Sequence, residues 1–228
     1  MKNELNISNK FLKYGEYIRV GNNSKEFDPR QIDSIFTLEP EIFLTFDICP
    51  SRKLSKDVID FLIKNKIQAT FFVNVQWYIQ NKSRLDFSFL DNPLFSIGAH
   101  GYYHIDPMLQ SEEEQIEDMN ACLNFWNKEG RKIKWYRVPH GHPTETNLRF
   151  FETHNIKCAS WKSRIFDKEY RYTEEVSIEH VKAYIENQIQ SGDILLLHAN
   201  GKGINTFEIL KLIVNACSTI GFGFRKLT

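Results

Sequence analysis

The sequence predicts an α/β fold in which helices surround a sheet of parallel strands. Short apolar runs alternate along the chain with segments whose apolar residues recur every three or four positions. The runs are apolar almost throughout, which is typical of parallel strands that are covered on both faces. Seven such runs follow residue 41, and they form either an open sheet or a closed barrel. Spacing alone does not decide between these two forms.

The predicted strands are the seven apolar runs. In chain order they are IFLTF at 42–46, ATFFV at 69–73, LFSIG at 94–98, IKWYRV at 133–138, KCASW at 157–161, ILLLHA at 194–199 and FGFRKL at 222–227. Chemistry in parallel α/β folds collects at the carboxyl ends of the strands, so the residues that end each run are candidates for a site.

The predicted helices lie between these strands, where four sets of apolar residues have the spacing of one helical face. The sets are Leu54, Val58, Phe61 and Leu62; Ile116, Met119, Leu123 and Trp126; Ile178, Val181, Ile185 and Ile189; and Leu210, Ile213, Val214 and Cys217. Acidic residues in SKD at 55–57, SEEE at 111–114 and TET at 144–146 indicate helix starts, because carboxylates stabilise the positive end of the helix dipole.

The composition predicts a globular protein with one main domain. The chain has 228 residues, of which 42% are hydrophobic and 25% are charged. The polar, irregular segment at residues 1–41 predicts an N-terminal arm that packs on the domain formed by residues 42–228. The four cysteines are widely spaced, which favours neither a cysteine zinc cluster nor a disulfide framework.

The charge balance and the short apolar runs argue against several partners. The 29 basic and 29 acidic residues give a formal net charge of +0, which disfavours a nucleic acid or an anionic membrane bound by bulk charge. No run approaches the roughly 18 apolar residues of a membrane span. The first residues contain no apolar core of a signal peptide. We therefore expect a cytoplasmic protein, or an extracytoplasmic one if a leader has been removed.

Six consecutive predicted strands end in side chains that can act on a substrate. These are Asp47; Asn74; His100 and His104; Arg137, Pro139 and His140; Trp161; and His198 with Asn200. Their recurrence at strand ends indicates one shared site more strongly than any single residue does.

His100 and His104 lie four residues apart in GAHGYYH, directly after a predicted strand. Imidazoles at that spacing can converge on one metal ion, either on a helical turn or across a tight loop. The alternative is a pair of solvated or core histidines. The position at a strand end, near other candidate groups, favours the metal site.

RVPHGHP at 137–143 predicts a rigid turn that follows a strand-end arginine. Arg137 can pair with a buried carboxylate such as Asp47 and keep it ionised. Backbone N–H groups of the turn can face a developing oxyanion. An ordinary loop whose arginine makes a surface salt bridge agrees with the sequence equally well.

His198 and Cys49 are two further candidates for chemistry. His198 ends a very apolar strand, where it can serve as a general acid or bond to the backbone as a strand cap. Cys49 is interpreted as a small apolar filler before Pro50. A nucleophilic Cys49 with His198 as its base is the less favoured hypothesis.

These motifs, in this order, resemble those of the polysaccharide deacetylases, the NodB-homology domain of carbohydrate esterase family four, over about residues 42–227. The family's T-F-D-D-G-P is similar to TFDICP at 45–50, H-S/T-x-x-H matches His100 to His104, and R-x-P-x-G matches Arg137 to Gly141. Trp161 corresponds to the tryptophan of the fourth motif, and Leu196 with His198 to the L-x-H of the fifth. The resemblance implies a distorted (β/α)7 barrel of parallel strands surrounded by helices.

The resemblance also implies a role for each residue of the site. Zinc, or another divalent metal, would bind His100 and His104. Asp47 would be the general base, kept ionised by Arg137, and His198 would protonate the leaving amine. Around them, the substrate would contact Pro139, His140 and Trp161. The backbone N–H of His140 would help to stabilise the oxyanion, and Trp161 would form one wall of the acetyl pocket.

Ile48 stands where the family has its second aspartate, the third metal ligand. An isoleucine cannot bind a metal, and two histidines leave a zinc site short of the usual three protein ligands. Either another side chain replaces the aspartate, with Asp47, Asp106 and His140 as the nearest candidates in sequence, or the metal is bound weakly or lost. Gly101 likewise replaces the hydroxyl residue that usually braces the histidine loop.

The resemblance therefore implies a hydrolase that removes N-acetyl groups from an amino-sugar-containing glycan or glycan precursor. Two alternatives stay open. One is a catalytically impaired, carbohydrate-binding pseudoenzyme, which Ile48 favours. The other is an amidase that acts on a small non-sugar amide. The expected partner is an N-acetylated amino sugar, without nucleic acid or membrane.

Overall fold

The computed structural model describes residues 28–50, 53–162, 179, 181–183, 185, 187–200 and 205–228. The chain divides into two compact units, residues 1–31 and 32–228. The predicted arm at residues 1–41 lies mostly outside the described residues, so its packing stays a prediction. Ile178 of the third predicted helix also lies outside them, whereas Val181 and Ile185 are described and buried.

All seven predicted strands are present, and the described residues contain one more. The strands are β1 (Gln31–Ile32), β2 (Glu41–Ile48), β3 (Ala69–Val73), β4 (Phe95–Ala99), β5 (Trp135–Tyr136), β6 (Lys157–Ala159), β7 (Ile194–Leu197) and β8 (Gly223–Arg225). The additional strand, β1, has two residues in a segment with no strand signal. Strands β2, β3 and β7 are buried almost throughout, and β4 is buried at three of its five residues, which explains why apolar runs predict them.

The sheet of the second unit is parallel and curves into a distorted (β/α)7 barrel. Its strands run in the order β6-β5-β4-β3-β2-β7, and β8 pairs with the first residues of β2. Among the described residues no ladder joins β6 to β7, and Ile32 at the end of β1 bridges them together with Asp33. The Ser160 N–H donates to the Ile32 carbonyl at 2.8 Å, and the Ile194 N–H donates to the Asp33 carbonyl at 3.0 Å. The implied barrel is thereby confirmed.

The described helices surround this sheet. They span Lys56–Lys64, Val75–Asn81, Glu112–Lys128, Glu145–Thr153 and Thr206–Thr219, with short 3-10 helices at Ser88–Asp91, Pro107–Leu109 and Pro139–Gly141. Capping boxes begin two of them, at Ser111 with Glu114 and at Thr144 with Asn147, which confirms both predicted starts. The prediction for Ile116 was wrong, because its side chain is 40% exposed. Asp118 and Cys122 lie on the buried face instead.

Two apolar clusters lie on opposite faces of the sheet. The larger includes Ile42, Leu44, Phe46 and Ile48 of β2 with helix residues such as Val58, Leu62 and Ile213. The smaller contains Phe43 with Phe72, Trp135, Ala159, Ile194 and Leu227. Alternate residues of β2 thus point to alternate faces, as strand geometry requires. No described helix combines the length and the hydropathy that a membrane span needs.

Candidate active site

A buried ion pair occupies the carboxyl end of β2. The Arg137 guanidinium is fully buried, and its Nη1 donates to Asp47 Oδ1 and to Thr45 Oγ1, each at 2.9 Å. Its Nη2 donates to the Ser160 carbonyl at 3.1 Å. These bonds fix the plane of the guanidinium and, through it, one oxygen of Asp47. The pairing that the sequence allowed for Arg137 is therefore present, with a buried partner and not a surface one.

The Asp47 carboxylate is ionised at neutral pH. Burial alone would raise its pKa, but the electrostatic effects of His100, Arg137 and His198, together with the hydrogen bond from Arg137, lower the pKa to about 2. The second oxygen, Oδ2, lies 3.6 Å from His100 Nε2. A carboxylate with one oxygen fixed and the other facing a histidine can accept a proton inside the site.

His100 presents one ring nitrogen to the centre of the site. Its Nδ1 lies 2.8 Å from the Arg137 carbonyl, and a carbonyl only accepts, so Nδ1 carries the proton. Burial lowers the pKa of His100 and favours the neutral ring, with a lone pair on Nε2. That Nε2 lies 3.2 Å from Nε2 of His104. The two histidines therefore converge, as the metal-site interpretation of their spacing predicts.

Two buried polar side chains brace the loop that carries these histidines. The Asn74 amide donates to the carbonyls of His100 at 3.3 Å, of Gly101 at 3.0 Å and of Tyr102 at 3.0 Å. Asp118 accepts from the Tyr102 and Tyr103 N–H groups, both at 2.9 Å. Sequence reasoning missed Asp118, an acidic residue next to Met119 of the predicted apolar helix face. Gly101 has no hydroxyl that could brace this loop, and Asn74 and Asp118 brace it instead.

Gly101 itself is required at its position. Its φ is +72°, and a Cβ there would lie 2.8 Å from Pro139 Cγ. A side chain at this position would therefore both strain the backbone and displace the turn at Pro139.

The turn at Pro139–Gly141 borders the histidine pair. His140 is exposed with φ of +63°, and its ring centroid lies 4.9 Å from that of His104. Trp161 packs on Gly141 so closely that a Cβ on the glycine would collide with the indole. The Arg137 guanidinium carbon lies 5.5 Å from the Trp161 ring centroid. Pro139, His140 and Trp161 thus rim the site, and their substrate contacts stay a prediction.

His198 follows β7 and is buried. It is one of the groups whose electrostatic effect lowers the Asp47 pKa. Thr206 Oγ1 donates to the His198 backbone carbonyl at 3.2 Å. The role of general acid stays a prediction.

The donors that meet around the histidines fit a divalent metal ion. Cys49 Sγ and the ring nitrogens of His100 and His104 all lie within 4.8 Å of one another. One thiolate with two imidazoles is a zinc-type donor set. Among the described residues this set includes none of the replacement ligands that the sequence suggested, Asp47, Asp106 and His140. Asp106 Oδ2 instead lies 2.9 Å from His142 Nδ1.

A protein-family model and a curated relative match the chain. The model of the polysaccharide deacetylase family matches residues 36–159. A curated relative, a peptidoglycan-N-acetylglucosamine deacetylase of Bacillus cereus, is 24% identical over 163 residues, which are 72% of this chain and 74% of the relative.

Solved structures share the fold. A peptidoglycan N-acetylglucosamine deacetylase superposes with a TM-score of 0.75 at 21% identity, over 87% of this chain and 91% of the other. A CE4 family pseudoenzyme from Bacillus anthracis superposes with a TM-score of 0.73 at 18% identity, over 88% of this chain and 68% of the other. A mutant of that pseudoenzyme has restored enzymatic activity.

Proposed function

The chain belongs to the polysaccharide deacetylase family, and from that premise we propose that it removes N-acetyl groups from an amino-sugar-containing glycan or glycan precursor. The reaction would be a metal-assisted, general acid/base attack of water on the amide. One observation carries the proposal: the buried, ionised Asp47 is bonded to Arg137 and faces two convergent histidines at a strand end. The deacetylases among its relatives support an N-acetylated amino sugar as the substrate.

Asp47 would act as the general base. Arg137 holds its Oδ1, so Oδ2 is the oxygen that takes the proton from water as the water oxygen attacks the acetyl carbonyl carbon. A carboxylate takes a proton from water more efficiently when that water has been made more acidic.

His100 and His104 would hold the metal through their Nε2 atoms, which lie 3.2 Å apart. A divalent ion bound there supplies Lewis acidity, which lowers the pKa of water and polarises the acetyl carbonyl. The hydrogen bond from His100 Nδ1 to the Arg137 carbonyl orients the ring for this task. Arg137 therefore contacts both groups: its carbonyl bonds to the metal donor His100, and its guanidinium bonds to the base Asp47.

His198 would complete the reaction as the general acid. When the tetrahedral intermediate collapses, the C–N bond breaks and the amine nitrogen takes a proton from His198, which leaves acetate and the free amino sugar. The backbone N–H of His140 would stabilise the oxyanion. Trp161, which packs on Gly141, would close the acetyl pocket on one side.

The test is acetate release from an N-acetylglucosamine tetramer by the zinc-loaded chain. The proposal predicts acetate and free amine in equal amounts, together with loss of activity when a chelator removes the metal. Absence of acetate from sugar oligomers and from peptidoglycan fragments, with folded and zinc-loaded protein, would contradict it.

A carbohydrate-binding pseudoenzyme is the second candidate, and Ile48 favours it. This fully buried side chain occupies the position of the family's second aspartate, and a CE4 pseudoenzyme is among the proteins of the same fold. Saturable binding of the tetramer without acetate release, measured by calorimetry, would support this candidate over the hydrolase.

A further inference from the structure

We propose that Cys49 is the third protein ligand of the metal site, which gives this chain a Cys-His-His centre. The proposal deepens the proposed function, on which the catalytic use of the metal rests. It changes the expected chemistry of the site, because the family resemblance implies a carboxylate from position 48, whereas this chain offers a sulfur from position 49.

Ile48 and Cys49 have different surroundings in this chain, and of the two only Cys49 lies beside the histidines among the described residues. Ile48 lies in the apolar cluster with Phe46, on the face that the helices cover. Thr45 and Asp47 lie on the other face, where both bind Arg137. Cys49 follows the end of β2 directly, and its Sγ lies within 4.8 Å of a ring nitrogen of His100 and of His104.

The distances agree with a shared ion. In a tetrahedral zinc site the ligand nitrogens are about 3.4 Å apart and a sulfur lies about 3.6 Å from each nitrogen, given the usual bond lengths. The two Nε2 atoms are already 3.2 Å apart. Cys49 Sγ and a ring nitrogen of each histidine lie within 4.8 Å of one another. Closing the set therefore requires a shift of Sγ on the order of 1 Å.

The surroundings of Cys49 are those of an oriented ligand. Asn200 is fully buried, and its side-chain amide donates to Cys49 Sγ at 3.3 Å and to the Cys49 carbonyl at 3.1 Å. Hydrogen bonds from an outer shell orient metal ligands and tune the metal. His100 has the corresponding bond, from Nδ1 to the Arg137 carbonyl. Two of the three donors are thus positioned by named partners.

A thiolate ligand makes the site softer than one with a carboxylate. When the ion binds, the Cys49 thiol would lose its proton to solvent, and the thiolate sulfur would donate a lone pair to the ion. Two imidazoles and one thiolate leave a fourth tetrahedral position for water or substrate, as catalytic zinc sites do. We therefore expect selection of zinc over magnesium, calcium and manganese, which prefer oxygen ligands.

Cobalt titration of the full chain tests the ligand set without any assay of activity. Bound Co²⁺ reports a sulfur ligand directly, through a thiolate-to-cobalt charge-transfer band in the near ultraviolet. We expect one equivalent of Co²⁺ to produce the band in the wild-type chain. In Cys49→Ser the band should disappear and the affinity should fall by roughly tenfold or more.

Two more variants make the result specific. Cys217→Ala removes another fully buried cysteine, on the helix Thr206–Thr219, and should leave both band and affinity unchanged. Cys49→Asp supplies a carboxylate at the same position, and it should still bind Co²⁺ but without the band. A wild-type chain that binds Co²⁺ without the band, or a band that persists in Cys49→Ser, would overturn the proposal. So would failure of the folded wild-type chain to bind Co²⁺ or Zn²⁺.

The outcome is separable from that of the proposed function. Binding through Cys49 without acetate release would leave this inference standing and sink the deacetylase. If zinc-loaded Cys49→Ser released acetate at the wild-type rate and bound the metal with unchanged affinity, the deacetylase would stand and the Cys49 ligand would be excluded.

Discussion

The two halves of the candidate site are built differently. The acid–base half, Asp47 with Arg137 and His198, lies at the ends of buried strands, and the Arg137 guanidinium makes hydrogen bonds to Thr45, Asp47 and Ser160. The metal half consists of Cys49, His100 and His104. Cys49 follows the last residue of β2, and His104 lies in a loop with φ of +60°. Damage to the acid–base half should therefore affect stability and rate, whereas damage to the metal half should chiefly affect ion affinity.

The largest expected effect comes from Asp47→Asn, which keeps the side-chain volume but removes the base. We expect acetate release to fall by roughly 10²- to 10⁴-fold. Zinc content should be unchanged, because Asp47 is not among the three donors that meet. Activity and elemental analysis of the same preparation measure both. Asp193→Asn is the control, since Asp193 is equally buried but precedes β7 at its amino end. A loss of less than roughly tenfold would remove Asp47 from the role of base.

Arg137→Ala should have the largest effect on stability. It leaves the Asp47 charge buried without its cation, so we expect the free energy of unfolding to fall by about 3–5 kcal/mol in urea titrations. Arg149→Ala removes an arginine whose side chain is 73% exposed in its pair with Glu145. That control should change stability by less than about 0.5 kcal/mol. Equal effects of the two variants would contradict the difference between a buried and a surface pair.

Ile48→Asp tests whether position 48 belongs to the metal half. Because Ile48 is fully buried in the apolar cluster, an aspartate there should lower the free energy of unfolding by about 3 kcal/mol or more, without tightening zinc binding. The control Ile48→Val should cost only about 0.5–1.5 kcal/mol. Tighter zinc binding at unchanged stability would show that residue 48 reaches the ion.

The smallest effect is expected from Asn200→Ala, which removes the amide that donates to Cys49. Zinc affinity, measured by competition with a chromophoric chelator, should weaken by roughly 10- to 100-fold. The control is Asn65→Ala, which deletes an exposed amide that donates to the Phe61 carbonyl of its own helix. This variant should leave zinc affinity unchanged. Equal affinities in all three proteins would mean that Asn200 does not orient a ligand.

The fold was predictable where the sequence pattern is continuous. β3 matches its apolar run residue for residue, because every side chain in it is buried. Two elements gave no such signal. β1 has only two residues, and the helix Val75–Asn81 has seven and begins directly after a strand, with Asn74 as its cap. The closure of the barrel came from resemblance, since no local pattern reports that residues 32–35 bridge β6 and β7.

The site was predictable at strand ends and unpredictable where contacts are distant in sequence. Asp47, His100 and Arg137 stand where parallel strands bring them together. The interpretation of Cys49 as an apolar filler missed its place beside the histidines. Its surroundings depend on Asn200, which is 151 residues away along the chain. Only the folded barrel shows that Cys49 lies beside the histidines, whereas Ile48 lies in the apolar cluster.

The most direct test of the account is X-ray absorption at the zinc edge, on the zinc-loaded chain beside Cys49→Ser. The account predicts one sulfur at about 2.3 Å with nitrogen or oxygen neighbours at about 2.0–2.1 Å, and loss of the sulfur shell in the variant. A spectrum of the wild-type chain with nitrogen and oxygen neighbours alone would contradict the Cys-His-His centre.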